Sequence, residues 1–209
     1  TLFRSAQLRN DAALVLTDTN RREARRWGTV RDNVGVTERP GQEPIEVDPK
    51  DQRLELFPGA DDDAFTVRDV QGGVWADATG YGNSVSLTPE DDPTNAVDGD
   101  HGTAWRTGGF SSADGQKLRL TYRDPVTTDH LTLLQAIGGV RNRFITEVSI
   151  SLDGGEPFTV ALDDASRATD PDSPGQRIDF DEQTFSTVDI EITKTDPGDL
   201  RRYDGISPV

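Results

Sequence analysis

The chain contains no sulfur and almost no imidazole: its 209 residues include neither cysteine nor methionine, and only two are histidine. Without cysteine there is no disulfide framework and no thiol chemistry. His101 and His130 are the available imidazole bases, and neither lies within a nucleophile-elbow sequence, which argues against a nucleophilic triad. No catalytic residue is identifiable, although a glycosidase would need only two carboxylates and acidic residues are plentiful.

Positive charge and long apolar runs are also scarce. The chain has 22 Lys and Arg against 38 Asp and Glu, which gives a net charge of −16. Such an acidic chain repels nucleic-acid phosphates and anionic membrane surfaces. No apolar run approaches the roughly 18 residues of a membrane-spanning helix, so no membrane insertion is expected. The start, Thr1-Leu2-Phe3-Arg4, is not a signal peptide, and we interpret the sequence as a piece or mature fragment of a larger protein.

Residues 1–73 are predicted to be an N-terminal flanking segment that is rich in β-structure and contains one short helix. An apolar run at 11–17 and an alternating pattern at 53–57 indicate strands. An Asp-Thr-Asn sequence provides the N-cap for an arginine-rich helix at 21–27. The Gly pair within 71–74 marks the predicted boundary with the second unit.

Residues 74–209 have the pattern of an all-β domain. Polar and apolar residues alternate with a period of two in 117–122 and 148–152. The candidate strands are 74–79, 83–87, 117–122, 129–135, 144–152, 156–162, 175–181 and 186–193. Turn residues separate them, including Asp124-Pro125. Many short strands at this spacing predict a sandwich or jelly roll rather than a parallel sheet with crossover helices.

An Asp-Gly-Asp turn is the most distinctive local feature. Asp98 and Asp100 place two carboxylates on one bend, and Gly99 permits the positive φ that such a bend often needs. Thr103 can bring a hydroxyl and a carbonyl oxygen back to the same point, which creates the oxygen-rich surroundings that calcium prefers. On local chemistry alone, the alternative is an ordinary Asx turn with Trp105 buried beneath it.

The segment Ala-Val-Asp-Gly-Asp at 96–100, with Thr-Ala-Trp at 103–105, resembles the signature loop of discoidin domains. These are also called coagulation factor V/VIII C-type domains, and they include many galactose-binding-like carbohydrate-binding modules. Residues 76–81 and 143–154 extend the resemblance, which covers about 74–209. It implies a jelly-roll β-sandwich with a structural calcium ion, and a carbohydrate-binding module at 74–209 whose last strand is truncated.

The resemblance also implies a set of calcium ligands. By position these are the carbonyl of Asn95, the carboxylate of Asp98, the carbonyl of Asp100, and the carbonyl and hydroxyl of Thr103. The family's closing Glu on the last strand has no counterpart, because the sequence ends at Ser207-Pro208-Val209. The site is therefore expected to be incomplete, or to be completed by solvent or by residues of the parent protein.

Sugar binding in such modules uses loops at one end of the sandwich, here 106–113 and 136–143. The candidate carbohydrate-binding residues are Arg106, Phe110, Arg141, Asn142 and Arg143. Arginine and asparagine give directed hydrogen bonds to sugar hydroxyls, and an aromatic ring covers the apolar face of a sugar. For the two arginines at 141 and 143, the alternative is a solvated loop.

A narrower resemblance concerns residues 14–31, 81–83, 88–91 and the ending 203–209. These look like the C-terminal extracytoplasmic region of the actinobacterial membrane arabinofuranosyltransferases, which build cell-wall arabinan. Glycosyl transfer in that family belongs to a multi-helix membrane domain that this sequence lacks. The resemblance implies a non-catalytic module, held outside the cytoplasm by a membrane-anchored parent, that binds an arabinan- or arabinogalactan-type cell-wall polysaccharide.

The alternative is a structural or interaction module of the same parent protein that binds no sugar. Exposed aromatic residues at the loop end would favour sugar binding. Loops packed against residues 1–70 would favour scaffolding.

Overall fold

The structure is a computed structural model that describes residues 45–46, 70–82, 88–109, 112–135, 143–167, 172–197 and 209. Its strands are β1 (Val74–Ala78), β2 (Lys117–Leu133), β3 (Ile145–Leu152), β4 (Phe158–Ala161) and β5 (Gln176–Thr195). Within these residues the helical elements are short 3₁₀ helices, at Pro89–Asp91, Pro93–Ala96 and Asp164–Ser166. No helix in the described part of the chain is long and apolar enough to cross a membrane.

The strands form one antiparallel sheet in the order β1-β2-β5-β3-β4. Its register aligns Ala76, Leu120, Val188 and Leu152 in a row across four strands, and all four are buried. Side chains alternate between the faces of a strand, so the residues two positions along form a parallel apolar row on the same face. This face is the hydrophobic core of the domain.

The opposite face of the sheet is a ladder of charged pairs. Arg119 lies between Asp77 and Asp189 in the register, and it forms two hydrogen bonds to Asp189, at 2.6 and 2.9 Å. Lys117 lies 3.7 Å from Glu191 and 2.6 Å from Glu46 of the N-terminal segment. The alternation seen in the sequence at 117–122 therefore separates a core face from a polar face, as predicted.

The two long strands differ from the sequence prediction, which divided each of them into two. Thr121 pairs with Thr187 and Val126 pairs with Phe185, so residues 122–125 bulge opposite Ser186. The turn predicted at Asp124-Pro125 was wrong, since β2 continues through it. Proline has no N–H to give to a ladder, and an exposed bulge is a position where none is needed.

A second bulge lies in β5, because Thr128 pairs with Gln183 and His130 with Asp179. Beyond the bulges both strands still contribute to the same core, β5 through Ile178 and β2 through the partly buried Leu131 and Leu133. The Phe185 ring contacts Tyr122 on one side and Phe180 on the other, with centroids 6.0 and 6.2 Å apart. The two bulges thus let one pair of strands bend around a single core.

The remaining strand predictions divide in two groups. The strands expected at 74–79, 144–152 and 156–162 are confirmed as β1, β3 and β4, with small differences at their ends. The strand expected at 83–87 and the strands and helix expected before residue 70 lie outside the described residues. The division at 73 stays a prediction, with β1 beginning at Val74 directly after Gly73.

Candidate functional site

The Asp-Gly-Asp turn begins at a capped 3₁₀ helix. The carboxylate of Asp92 caps Pro93–Ala96 by accepting from the N–H of Thr94 at 2.9 Å and from its hydroxyl at 2.6 Å. Asp98 then accepts from the N–H of Asp100 at 2.9 Å, which makes an Asx turn around Gly99, with φ of +82°. The predicted need for a positive φ at this glycine is confirmed.

Thr103 closes this loop. Its hydroxyl lies 2.7 Å from the carboxylate of Asp98 and 2.9 Å from the carbonyl oxygen of Asp100. A backbone hydrogen bond of 3.1 Å from Thr103 to the same carbonyl holds the approach in place. Three of the four predicted calcium ligands therefore meet at one exposed point. Asn95 instead contacts the preceding turn, where its side-chain amide donates to the carbonyl of Glu90 at 2.7 Å.

The donor set of this loop fits a calcium ion by its chemistry. Carboxylate, carbonyl and hydroxyl oxygens are the hard donors that calcium prefers. Among the described residues, no group of three or more His, Cys, Asp or Glu side chains is arranged to hold a metal. An ion at this loop would therefore depend on the hydroxyl of Thr103, the carbonyl of Asp100 and water, with Asp98 as the side-chain carboxylate.

Trp105 anchors the loop to the body of the domain. Its ring packs against the hydrophobic core, and its indole N–H donates to the carbonyl of Gly80 at 2.9 Å. The next residue strengthens the same junction, since the carbonyl of Arg106 accepts from Gly82 at 2.6 Å. Trp105 is thus partly buried and packed against the core.

Arg106, a predicted sugar-binding residue, is paired with Asp91. Its guanidinium lies 3.7 Å from the Asp91 carboxylate, and the backbone N–H of Arg106 donates to the Asp91 carbonyl at 3.3 Å. Burial raises the pKa of Asp91, and the charge of Arg106 opposes that shift. The Arg106 side chain is 23% exposed, so part of it remains accessible to a ligand.

Arg143 is buried, so the alternative of a solvated loop does not hold for this arginine. Only 4% of its surface is exposed, and its guanidinium donates to the carbonyl of Gly108 at 3.0 Å. Burial lowers the pKa of Arg143, and the nearby carboxylates of Asp114 and Asp196 oppose that shift. The remaining three predicted sugar-binding residues, Phe110, Arg141 and Asn142, lie outside the described residues.

Two residues of this region were missed from the sequence. Asp91 is 9% exposed and supports Arg106, but nothing in its local sequence marks it as buried. Gly108 accepts the hydrogen bond from Arg143. The adjacent glycine pair at 108–109 was a usable signal, because paired glycines often mark a backbone that another group approaches closely.

A cavity of about 360 Å³ lies between this loop and the bent strands. Val97 borders it beside the loop, and Tyr122, Leu131 and Phe185 are among its apolar walls. Its polar lining is limited to threonines and His130. A sugar is covered with hydroxyls that require directed partners, so this cavity is poorly suited to a glycan.

The family model for the F5/8 type C domain matches residues 80–203. The chain belongs to the F5/8 type C domain family. The predicted resemblance to discoidin domains is confirmed, and so is the all-β fold class, since the described residues form an antiparallel sheet with almost no helix. The Asp-Gly-Asp loop, Trp105, Arg106 and Arg143 all lie within the matched range of the F5/8 type C domain.

Two arabinofuranosyltransferases are related to this F5/8 type C domain in sequence. The alpha-(1->3)-arabinofuranosyltransferase of Mycobacterium tuberculosis is 32% identical over 138 residues, covering 58% of this chain and 9% of the relative. The one of Mycolicibacterium smegmatis is 29% identical over 212 residues, covering 83% and 14%. The predicted relation to this enzyme family is confirmed, and the chain spans about a tenth of the length of these relatives.

Solved structures give two further likenesses to the F5/8 type C domain. A cryo-EM structure of arabinofuranosyltransferase AftD from Mycobacteria has a TM-score of 0.46 and 22% identity, and the match covers 60% of this chain and 9% of that one. The family 32 CBM of NanJ from C. perfringens, in complex with galactose, has a TM-score of 0.42 and 21% identity, with coverages of 58% and 82%.

Proposed function

We propose that this chain is a non-catalytic carbohydrate-binding module of a cell-envelope arabinofuranosyltransferase. It binds an arabinan- or arabinogalactan-type glycan on the extracytoplasmic side of the membrane that anchors its parent. The observation that carries the proposal is the 32% identity to an arabinofuranosyltransferase over 138 residues. Cell-wall polysaccharide is the ligand that such a parent enzyme would bring close to an attached module.

The glycan is proposed to bind at loops 106–113 and 136–143. Arg106 supports this placement, because its guanidinium is partly exposed while its pairing with Asp91 limits its motion. A held guanidinium loses less conformational entropy when it binds sugar hydroxyls. Phe110, Arg141 and Asn142 supply the ring and further hydrogen-bonding groups in this proposal.

A calcium ion is proposed to bind at the Asp-Gly-Asp loop, held by Asp98, the Asp100 carbonyl and Thr103, with the Asn95 carbonyl as a further ligand. The convergence of a carboxylate oxygen of Asp98 and the carbonyl oxygen of Asp100 on the Thr103 hydroxyl supports it. Bound calcium would supply positive charge beside two exposed carboxylates of a chain whose net charge is −16. Its role is to order the loop rather than to contact the sugar.

Calorimetric titration of the full chain with arabinan oligosaccharides tests the sugar-binding proposal. Arabinan and arabinogalactan fragments are titrated in calcium, with a mannan fragment of equal length as the control. Binding of the arabinose-containing fragments, and weaker or no binding of the mannan, is the expected result. A folded, calcium-loaded sample that binds none of them would contradict the proposal.

The second candidate function is a scaffold that binds no sugar. It is favoured by contacts between the N-terminal segment and the sheet, where Glu46 pairs with Lys117 and the Val70 carbonyl accepts from Trp75 at 3.3 Å. These contacts lie on the polar sheet face and on β1, rather than at the loops. Failure of all glycan titrations, together with a measurable coupling energy between Glu46 and Lys117 in a double-mutant cycle, would favour the scaffold.

A further inference from the structure

We propose that Arg143 is a positioning residue: it ties loop 136–143 to loop 106–113 by holding Gly108, and it donates no hydrogen bond to the sugar. Arg143 is the last residue of the second loop, and its guanidinium reaches the Gly108 carbonyl in the first at 3.0 Å. With 4% of its surface exposed, its side chain faces the protein interior. A single side chain thus joins the two loops that are proposed to bind glycan.

The backbone at Gly108 is shaped around this contact. Gly108 has φ of +77°, where residues with side chains are rarely found. A Cβ built on it would lie 2.7 Å from the Cβ of Ala113 and 3.0 Å from the guanidinium of Arg143. Ala113 is fully buried, so it has no room to move away. Gly108 is therefore enclosed by Arg143 on one side and by the end of its own loop on the other.

The backbone next to Arg143 is held in place by hydrogen bonds. The next residue, Phe144, forms two hydrogen bonds with Asp196. The Phe144 N–H donates to the Asp196 carboxylate at 2.8 Å, and the Asp196 N–H donates to the Phe144 carbonyl at 2.9 Å. The Phe144 ring lies under the guanidinium of Arg167, 3.9 Å from its centroid. Because its neighbouring backbone is held in place and its planar guanidinium is buried, Arg143 is suited to set the distance between loops 106–113 and 136–143.

The far end of the first loop is anchored independently. Gly115 donates to the carbonyl of Ile192 at 2.8 Å, and Gln116 donates to Ala113 at 3.0 Å. Near its start, Thr107 exchanges two backbone hydrogen bonds with Val209. Removal of the Arg143 contact should therefore release the segment around Gly108 without releasing the strands. The effect on sugar affinity rests on the proposed function, whereas the effect on loop order does not.

Amide hydrogen exchange of the full chain, in calcium and without sugar, tests the inference. Arg143→Met removes the donor, Arg143→Lys keeps a charged donor, and Arg177→Met removes an exposed arginine of β5 as the matched control. We expect Arg143→Met to accelerate exchange over 108–113 by about tenfold or more while 145–152 stays as in the wild type. Arg143→Lys should restore part of the protection, and Arg177→Met should change nothing in either segment.

Sugar affinity is then measured for the same variants with an arabinan oligosaccharide, and it should fall in the same rank order. Unchanged loop exchange in Arg143→Met would overturn the inference, and lost affinity with an ordered loop would indicate direct contact with the sugar. Equal acceleration over 108–113 and 145–152 would assign Arg143 a general structural role. If Arg143→Met does not fold, Gly108→Ala decides, since it disturbs the contact from the other side. If the wild type binds no arabinan, the proposed function fails while the exchange result still stands.

Discussion

The Thr103 hydroxyl lies 2.7 Å from the carboxylate of Asp98, five residues earlier in the chain, and closes the Asp-Gly-Asp loop from its far end. This contact brings a hydroxyl, a carboxylate and a carbonyl within reach of one point. Substitution of Thr103 therefore tests the proposed calcium site.

Thr103→Val should remove the stabilisation of the domain by calcium. Valine keeps the shape of threonine and the backbone carbonyl but offers no side-chain oxygen, so affinity for the ion falls. At a calcium concentration of 100 times the dissociation constant, a bound ion adds about 2.7 kcal/mol to the free energy of unfolding, and the variant should lose most of it. Urea denaturation with calcium and with a chelator measures the difference. Asp181→Asn, which removes an exposed carboxylate of β5, is the control. Equal calcium responses in the wild type and in Thr103→Val would argue against the site.

Arg106→Met should destabilise the domain in a pH-dependent manner. The buried carboxylate of Asp91 loses its partner, and the pKa of Asp91, already raised above 3.8, rises further. A carboxyl with a raised folded-state pKa binds protons more tightly when folded, so its unfavourable effect develops as pH rises above 3.8 through that pKa. We expect a loss of about 2 kcal/mol at pH 7 and a smaller one at pH 3. Denaturation across pH, with NMR titration of Asp91, measures both; a loss independent of pH would contradict this assignment.

Asp153→Asn should remove a stabilisation that the wild type has at neutral pH. The Asp153 carboxylate accepts from the N–H groups of Ser186 and Thr187 at 2.9 and 2.7 Å, and these hydrogen bonds lower the pKa of Asp153. A lowered folded-state pKa gives stability that is complete above the ordinary value of 3.8 and disappears as pH falls through the folded-state pKa. The stability difference between wild type and variant should therefore shrink below pH 3.8. A difference that stays constant from pH 7 to 2 would show that the charge is not involved.

Phe185→Ala should be among the most damaging single changes in the core. Phe185 is 2% exposed and contacts one aromatic ring in each bulge, Tyr122 in β2 and Phe180 in β5. Loss of a buried phenylalanine costs about 4 kcal/mol, from lost burial and from the cavity that remains. Phe158→Ala, at a half-buried position of β4, is the matched comparison and should cost less. Chemical denaturation measures both variants, and equal losses would mean that Phe185 does not join the two halves of the bent strands.

The candidate site was only partly accessible to sequence reasoning. The cluster of Asp98, Asp100 and Thr103 could be predicted, because residues within five positions of a glycine turn are held together by the local backbone. Trp105 could be assigned to the core for a similar reason, since it follows the turn directly. Arg143 could not be assigned, because its burial depends on the Gly108 carbonyl, which lies 35 residues away in the chain.

By itself, the sequence determined the family, the alternation of polar and apolar residues along the strands, and the absence of cysteine chemistry. These properties are local or compositional, so they can be read without knowing which segments meet. Only the tertiary structure decided that the predicted strand pairs are two continuous strands, because a bulge and a turn have the same local residues and differ in whether the ladder resumes beyond them. It also decided which arginines are buried, because burial depends on distant parts of the chain that pack around a side chain.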